Sequence, residues 1–186
     1  MKTMAELKLL PIWVGYTSNK VPMSSHTGGA AASNNPDTWS TAAEAWTAKR
    51  RYGWAGIGCM FSIQTGVVGI DLDKCLSETG ELSDMAAQVV AMCNSYTERS
   101  PSGKWLHILA CGSIPHSVKQ PGFEMYNELR YFTVTGNKFI TPDENIEDRQ
   151  RELLALFVAF GGDMEPAWPV ARPTTPATTE EKEVAR

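Results

Sequence analysis

The sequence predicts a mixed α/β (α+β) domain built on antiparallel strands. Three observations predict it. Short apolar runs of strand length recur through the first three quarters of the chain. Segments with helical spacing of apolar residues, each preceded by a capping residue, lie between those runs. Gly- and Asn-containing turns separate the segments. At 186 residues, the chain is long enough for one domain with a well-buried core.

The N-terminal third predicts a strand, a loop and a helix. The apolar run at residues 9–16 predicts the strand. The polar, Gly- and Ser-rich stretch at residues 17–35 is too long for a tight turn, so it indicates a functional or mobile loop. Asp37 and Ser40 are good caps for a helix that ends near Arg51.

The middle of the chain predicts a hairpin and a second helix. Residues 57–63 and 67–73 are two apolar runs around a Gln-Thr-Gly turn, which predicts a β-hairpin. Ser83 can cap a helix that extends to about Asn94. The remaining predicted elements are a strand at 96–99, a loop at 100–104, strands at 105–111, 123–127 and 131–136, and a helix at 146–160.

The composition of the chain changes after Glu165. Pro- and Thr-rich sequence leads into a charged end, and neither part carries enough apolar residues to be ordered. We therefore expect one domain over residues 1–165 and a disordered linker or tail over residues 166–186. A linker would join the domain to a further part of a longer chain. A frayed tail is the alternative.

Composition also excludes several classes of protein. No apolar run approaches the roughly 20 residues that span a bilayer, and the N-terminus lacks a signal peptide's apolar core, so we expect a cytoplasmic protein with no membrane partner. The four cysteines form no Cys-x-x-Cys pair, which disfavours a zinc knuckle. A net charge of −4 argues against coating nucleic acid by bulk electrostatics, although a local basic groove remains compatible with it.

Two carboxylates stand at the end of an apolar strand. The sequence Val-Val-Gly-Ile-Asp-Leu-Asp at residues 67–73 places Asp71 and Asp73 on one face, because residues two apart in a strand point the same way. Two carboxylates at this spacing suit a divalent cation or a pair of cations. The ordinary alternative for Asp-x-Asp is a turn or a helix cap.

A small-residue loop then leads into a strand that carries a histidine. Ser100, Ser102 and Gly103 let backbone N–H groups turn towards a phosphate, and Lys104 adds a positive charge. His107 follows on the strand, where it is placed to touch a phosphate oxygen. A strand histidine is otherwise a structural group whose hydrogen bonds are satisfied within the protein.

Two further charged residues accompany these motifs. Glu124 lies inside the apolar strand Phe-Glu-Met-Tyr, and a buried carboxylate needs a cation or a metal nearby. Arg130 opens the strand Arg-Tyr-Phe-Thr-Val-Thr-Gly. It either assists a bound anion or closes the edge of a sheet.

Taken in order, these motifs resemble the N-terminal domain of bifunctional DNA primase/polymerases, in the archaeo-eukaryotic primase superfamily. That family is similar in its hydrophobic-Asp-hydrophobic-Asp strand, its Ser-Pro-Ser-Gly-Lys-Gly-x-His loop, and its acidic strand followed by Arg-Tyr-x-Thr-x-Thr-Gly. The resemblance runs from about Trp13 to Phe160. Trp105 departs from it, because the family has glycine there. The resemblance implies a primase-polymerase fold, with an RRM-like antiparallel catalytic sheet and an N-terminal α/β lobe.

The resemblance also implies template-directed nucleotidyl transfer in phage or plasmid DNA replication: primer synthesis de novo, primer extension, or both. The implied partners are a single-stranded DNA template, nucleoside triphosphates (dNTP or NTP), and a C-terminal helicase or other replication domain in a longer chain. The implied metals are two Mg²⁺ or Mn²⁺ ions. The implied metal ligands are Asp71, Asp73 and Glu124, with His107 as a further catalytic residue. The implied nucleotide-binding residues are Ser100, Ser102, Gly103, Lys104, His107 and Arg130.

Two other functions remain open on the sequence. A catalytically silent module that binds single-stranded nucleic acid is one, because RRM-like sheets often bind single strands. Three carboxylates in its groove would repel phosphates, which weighs against it. A metal-dependent nuclease is the other. The histidines, His26, His107 and His116, form no His-x-His pair, which weighs against cleavage.

Overall fold

Two antiparallel sheets organise the chain. The computed structural model describes residues 1–139 and 144–164, so the linker or tail predicted at 166–186 lies outside the described residues. The strands are β1 (Lys2–Thr3), β2 (Trp13–Tyr16), β3 (Pro22–Met23), β4 (Gly56–Met60), β5 (Val67–Leu72), β6 (Thr97–Arg99), β7 (Leu106–Cys111), β8 (Val118–Gln120), β9 (Phe123–Tyr126), β10 (Tyr131–Val134) and β11 (Asn145–Ile146). The helices are α1 (Met4–Leu9), α2 (Ala42–Tyr52), α3 (Asp84–Cys93) and α4 (Gln150–Ala159).

The first sheet has four strands in the order β10-β4-β2-β3, and the second has five in the order β6-β7-β5-β9-β8. A small pair, β1 with β11, joins the N-terminal segment to the segment that precedes α4. Every pairing between these strands is antiparallel. The predicted mixed α/β class with antiparallel strands is therefore confirmed.

The predicted hairpin of residues 57–63 and 67–73 is wrong. β4 pairs with β2 and β10 in the four-stranded sheet, whereas β5 pairs with β7 and β9 in the other. A 3-10 turn, Ile63–Thr65, ends at Gly66 in the left-handed region and carries the chain from one sheet to the next. All five residues of β4 are buried. Its apolar run therefore arises because both faces of the strand are covered by other parts of the protein, and it does not indicate pairing with β5.

The five-stranded sheet has an apolar core on each face. On one face, Val68, Ile70 and Leu72 pack in a buried cluster with residues of α3 and α4. On the other face, Gly69 lies against Phe61 and Phe132, which belong to the cluster around the four-stranded sheet. A Cβ atom at Gly69 would lie 2.2 Å from Phe61 Cζ. Glycine is therefore required at this position for the two sheets to approach each other.

Helix caps explain most helix boundaries. Ser83 caps α3 and Asn94 ends it in the left-handed region, as predicted. The predicted caps of α2 are wrong, because Thr41 is its N-cap and forms a capping box with Glu44.

The sequence did not predict α1, and the last residue of this helix, Leu9, was predicted to begin the first strand, which begins only at Trp13. Its own capping box joins Thr3 to Glu6. No helix in the described part of the chain is long and apolar enough to cross a membrane.

Candidate active site

A row of charged and titratable side chains crosses the five-stranded sheet at right angles to its strands. Each member is the direct register partner of the next, in the order Glu98, His107, Asp71, Glu124 and Lys119. Directly opposed residues of an antiparallel pair project to the same face. The fold therefore places Asp71, His107 and Glu124, which lie on three separate strands, side by side.

His107 is buried and held by its neighbours. Its Nδ1 lies 3.1 Å from the Thr133 carbonyl oxygen, which can only accept a hydrogen bond, so Nδ1 carries the proton. Its Nε2 faces Asp71 Oδ1 at 3.7 Å. The ring also stacks on Phe132, with 4.6 Å between ring centroids. Burial lowers the pKa of His107 to about 4, so the imidazole is neutral at pH 7.

Asp71 and Asp73 each have one carboxylate oxygen that lacks a hydrogen-bond partner among the described residues. Their Oδ1 atoms are buried, and neither makes a hydrogen bond within the described residues. Burial, followed by the charges of Asp73 and Glu124, raises the pKa of Asp71 to about 7. Buried polar atoms of this kind are rare in folded proteins and call for a specific explanation.

Glu124, in contrast, is fully engaged. Its carboxylate accepts hydrogen bonds from the Tyr126 hydroxyl at 2.5 Å and from Arg130 at 3.4 Å, and Lys119 Nζ lies 2.5 Å away. Burial acts to raise the pKa of Glu124, but these bonds and the two positive charges together lower it. Arg130 is therefore charge-compensated, and its guanidinium also lies over the Tyr126 ring.

A cavity of about 330 Å³ opens beside this row. Three residues of β10 form one wall of it, and Asp71, His107 and Arg130 also line it. The remaining lining residues are Lys20 and Trp105. The sequence did not identify these two as site residues, although Trp105 stood out as a departure from the family pattern. The signal for Lys20 was its place in the long polar loop.

The predicted phosphate loop connects β6 to β7, two strands that contribute residues to the row. The hydroxyls of Ser100 and Ser102 lie 3.0 Å apart, and Ser100 is buried. Gly103 adopts a φ of 74°, which permits the turn into β7. Lys104 is exposed and is not among the residues that line the cavity.

The sequence also missed the role of Glu98. This carboxylate is buried, and it accepts hydrogen bonds from the Tyr96 hydroxyl and from the backbone N–H groups of Thr135 and Gly136. The Thr-Gly end of the Arg-Tyr-x-Thr-x-Thr-Gly motif therefore attaches β10 to β6. A carboxylate in the middle of the predicted strand at 96–99 was the signal that could have found it.

The acidic residues fit a divalent cation in part. Within residues 1–139 and 144–164, no three acidic, histidine or cysteine side chains converge as a ready metal centre. The two unpartnered oxygens of Asp71 and Asp73 are hard ligands of the type that Mg²⁺ and Mn²⁺ prefer. Glu124 can join them only by giving up contacts with Lys119 and Arg130.

Comparison with known proteins agrees with the sequence motifs. A DNA primase-polymerase of Nitratiruptor phage NrS-1 is 32% identical over 154 residues, which covers 78% of this chain and 21% of the phage protein. The comparison confirms the resemblance to phage-type primase-polymerases. The chain spans about a fifth of the length of the primase-polymerase that it matches. No protein-family model matches it.

Proposed function

We propose that the domain is a nucleotidyltransferase of DNA replication that makes primers de novo, extends them, or does both on a single-stranded DNA template. The row of Glu98, His107, Asp71, Glu124 and Lys119 across adjacent strands carries this proposal. It combines carboxylates, a neutral imidazole and cations at the edge of a cavity, which is the set of groups that phosphoryl transfer uses.

We further infer that the five-stranded sheet is RRM-like. Strand β5 is followed by helix α3. The next two strands, β6 and β7, form a hairpin, and β9 then pairs with the side of β5 that β7 leaves free. The resulting order, β6-β7-β5-β9, supports the inference because RRM-like sheets place their first and third strands at the centre. The four-stranded sheet with α1 and α2 would then be the N-terminal lobe.

In this proposal, Asp71, Asp73 and Glu124 would hold two Mg²⁺ or Mn²⁺ ions. Such ions neutralise the triphosphate and activate the attacking 3′-hydroxyl. The chain's own contribution is to keep two carboxylate oxygens unpartnered and buried, where they remain free to bind a cation. In the metal-free protein, Lys119 and Arg130 keep Glu124 ionised and oriented on the same face, and they would release it when a cation binds.

His107 would contact the phosphates of the incoming nucleoside triphosphate. Its Nδ1–H donates to Thr133, which leaves Nε2 directed into the cavity beside Asp71. The loop of Ser100, Ser102, Gly103 and Lys104 lies at the start of the same strand, and we assign it to the nucleotide as well.

Single-stranded DNA and dNTP or NTP are the proposed substrates. A C-terminal helicase or other replication domain is the proposed partner within a longer chain, in keeping with the greater length of the matched phage protein. A protein with this role would act in the cytoplasm, where replicating phage or plasmid DNA is found.

The test is a primer-synthesis assay on single-stranded template with labelled nucleotides, run with Mg²⁺ and with Mn²⁺. We expect the 186-residue chain to incorporate nucleotide and Asp71→Ala to abolish incorporation. A chain that binds the template but incorporates nothing would be the silent binding module. Shortening of the template, with no incorporation, would identify the nuclease.

A further inference from the structure

We propose that Lys20, in the loop between β2 and β3, binds the triphosphate of the incoming nucleotide. This inference rests on the proposed function and adds to it a residue from the other sheet. Four features of Lys20 carry the inference: its place in the cavity, the lack of an ion pair among the described residues, its contact with Trp105, and its backbone conformation.

Lys20 lines the same cavity as Asp71, His107 and Arg130. Arg130 forms an ion pair with Glu124, with 3.4 Å between Arg130 Nη2 and Glu124 Oε2. Lys20 makes no ion pair within the described residues, so in the metal-free protein it is the cation of this cavity that is available to an anion from solution.

The ammonium of Lys20 rests against an aromatic wall of the cavity. Its Nζ lies 5.0 Å from the centroid of the Trp105 ring, a cation–π contact. Trp105 occupies the position where the family has glycine. The indole therefore restricts where the flexible lysine side chain can reach, and it keeps the charge beside Asp71 and His107.

The backbone of Lys20 is held in an unfavourable conformation. Its φ of 59° lies in the left-handed region, where glycine or asparagine is usual. The turn is fixed by the Lys20 N–H, which donates to the Thr17 carbonyl at 2.8 Å, and by the Tyr131 hydroxyl, which donates to the Lys20 carbonyl. These two hydrogen bonds hold the Lys20 backbone beside the cavity that its side chain lines.

Charge then selects the ligand. Asp71 and Glu124 would repel a bare anion, so Lys20 suits an anion that arrives with a divalent cation, such as a nucleoside triphosphate. The exposed Lys104, which the sequence assigned to the triphosphate, does not line this cavity.

The test measures binding apart from activity. Titration calorimetry with dATP and with inorganic tripolyphosphate, each with Mg²⁺, is performed on the full chain, on Lys20→Met and on Lys20→Arg. Loss of a charge-assisted contact to phosphate should weaken both ligands about 10- to 100-fold in Lys20→Met. Lys20→Arg keeps the charge and should retain affinity to within about threefold. Lys8→Met, which removes a lysine from α1 outside this cavity, controls for net charge.

Lys20→Gly distinguishes the effect of losing the lysine side chain from the effect of the left-handed backbone conformation. It should lose ligand affinity as Lys20→Met does, yet melt about 2 °C higher than Lys20→Met, because glycine adopts the left-handed conformation without strain. In steady-state extension, Lys20→Met should raise the nucleotide KM and leave template affinity unchanged.

Several results would overturn the inference. Unchanged affinity for both ligands in Lys20→Met would do so, as would a loss confined to Lys104→Met. If the wild-type chain incorporates nucleotide while Lys20→Met matches it, only the role of Lys20 fails. If the wild-type chain neither incorporates nucleotide nor binds dATP, the proposed function fails together with the inference.

Discussion

Replacement of Asp71 by asparagine should stabilise the metal-free protein while abolishing its activity. The carboxylate is buried to 15% side-chain exposure, and its Oδ1 atom has no hydrogen-bond partner within the described residues. Asparagine keeps the shape of the side chain and removes the charge that burial and the neighbouring carboxylates oppose. A residue whose removal raises stability but ends function is typical of an active site.

The magnitude follows from the pKa of Asp71. Its rise from an ordinary value of 3.8 to about 7 means that the folded state binds this proton more tightly than the unfolded state does. The stability that protonated Asp71 contributes to the fold is fully present below pH 3.8 and is lost as the pH rises to about 7. At about 1.4 kcal/mol per pH unit, the ceiling at pH 8 is about 4 kcal/mol. Relaxation of the site reduces this to about 1–3 kcal/mol, or roughly 3–10 °C in Tm.

The assay is a thermal melt of wild type and Asp71→Asn in EDTA at pH 5 and pH 8. The advantage of the variant at pH 5 should be less than half its advantage at pH 8. Added Mg²⁺ at pH 8 should raise the Tm of wild type and leave the variant unchanged. Glu78→Gln removes an exposed carboxylate and controls for net charge. A variant that melts below wild type at pH 8 in EDTA would refute this account, because Asp71 would then be a paired structural group.

Three other substitutions test the site and its support. Glu124→Gln should abolish incorporation and metal binding, yet lower the free energy of unfolding by no more than about 1 kcal/mol, because its partner Lys119 is 69% exposed. A large fall in Tm with activity retained would instead make Glu124 a structural ion-pair partner. His107→Asn should lower kcat/KM for nucleotide about 10- to 100-fold in steady-state extension, and a loss of template affinity instead would contradict a phosphate contact. In urea denaturation, Gly69→Ala should lower the free energy of unfolding by more than about 2 kcal/mol, because the new Cβ overlaps an aromatic ring. Gly66→Ala should lower it by about 1 kcal/mol, because its φ is positive but no atom lies within 4 Å of the new Cβ. Equal losses would refute the close contact between the sheets.

The sequence identified candidate site residues that lie within single strands. Asp71, His107 and Glu124 were each identified from a local pattern, and register pairing then brought them together. The start and end of α3 were predictable because capping chemistry is local: Ser83 and Asn94 act through their immediate neighbours.

The parts that failed depend on contacts between distant segments. Periodicity shows that β4 and β5 are strands, but it does not show which strands they pair with, so a short Gly-containing connection was read as a hairpin turn. Lys20 was missed for the same reason. It enters the cavity only because the loop after β2 is attached to Tyr131, 111 residues later in the chain.

The pairing of β4 with β10, two strands far apart in the sequence, has a consequence for how the protein folds as it is synthesised. β4 gains one partner, β2, early, but its other partner, β10, is made only after the whole five-stranded sheet. Until then, the edge of β4 and the ring of Phe61 lack their neighbours in β10, which favours slow closure and exposure to aggregation. A ribosome-bound chain that ends before Tyr131 should therefore stay sensitive to protease in its N-terminal part. Protection should appear in one step when residues 131–134 leave the exit tunnel.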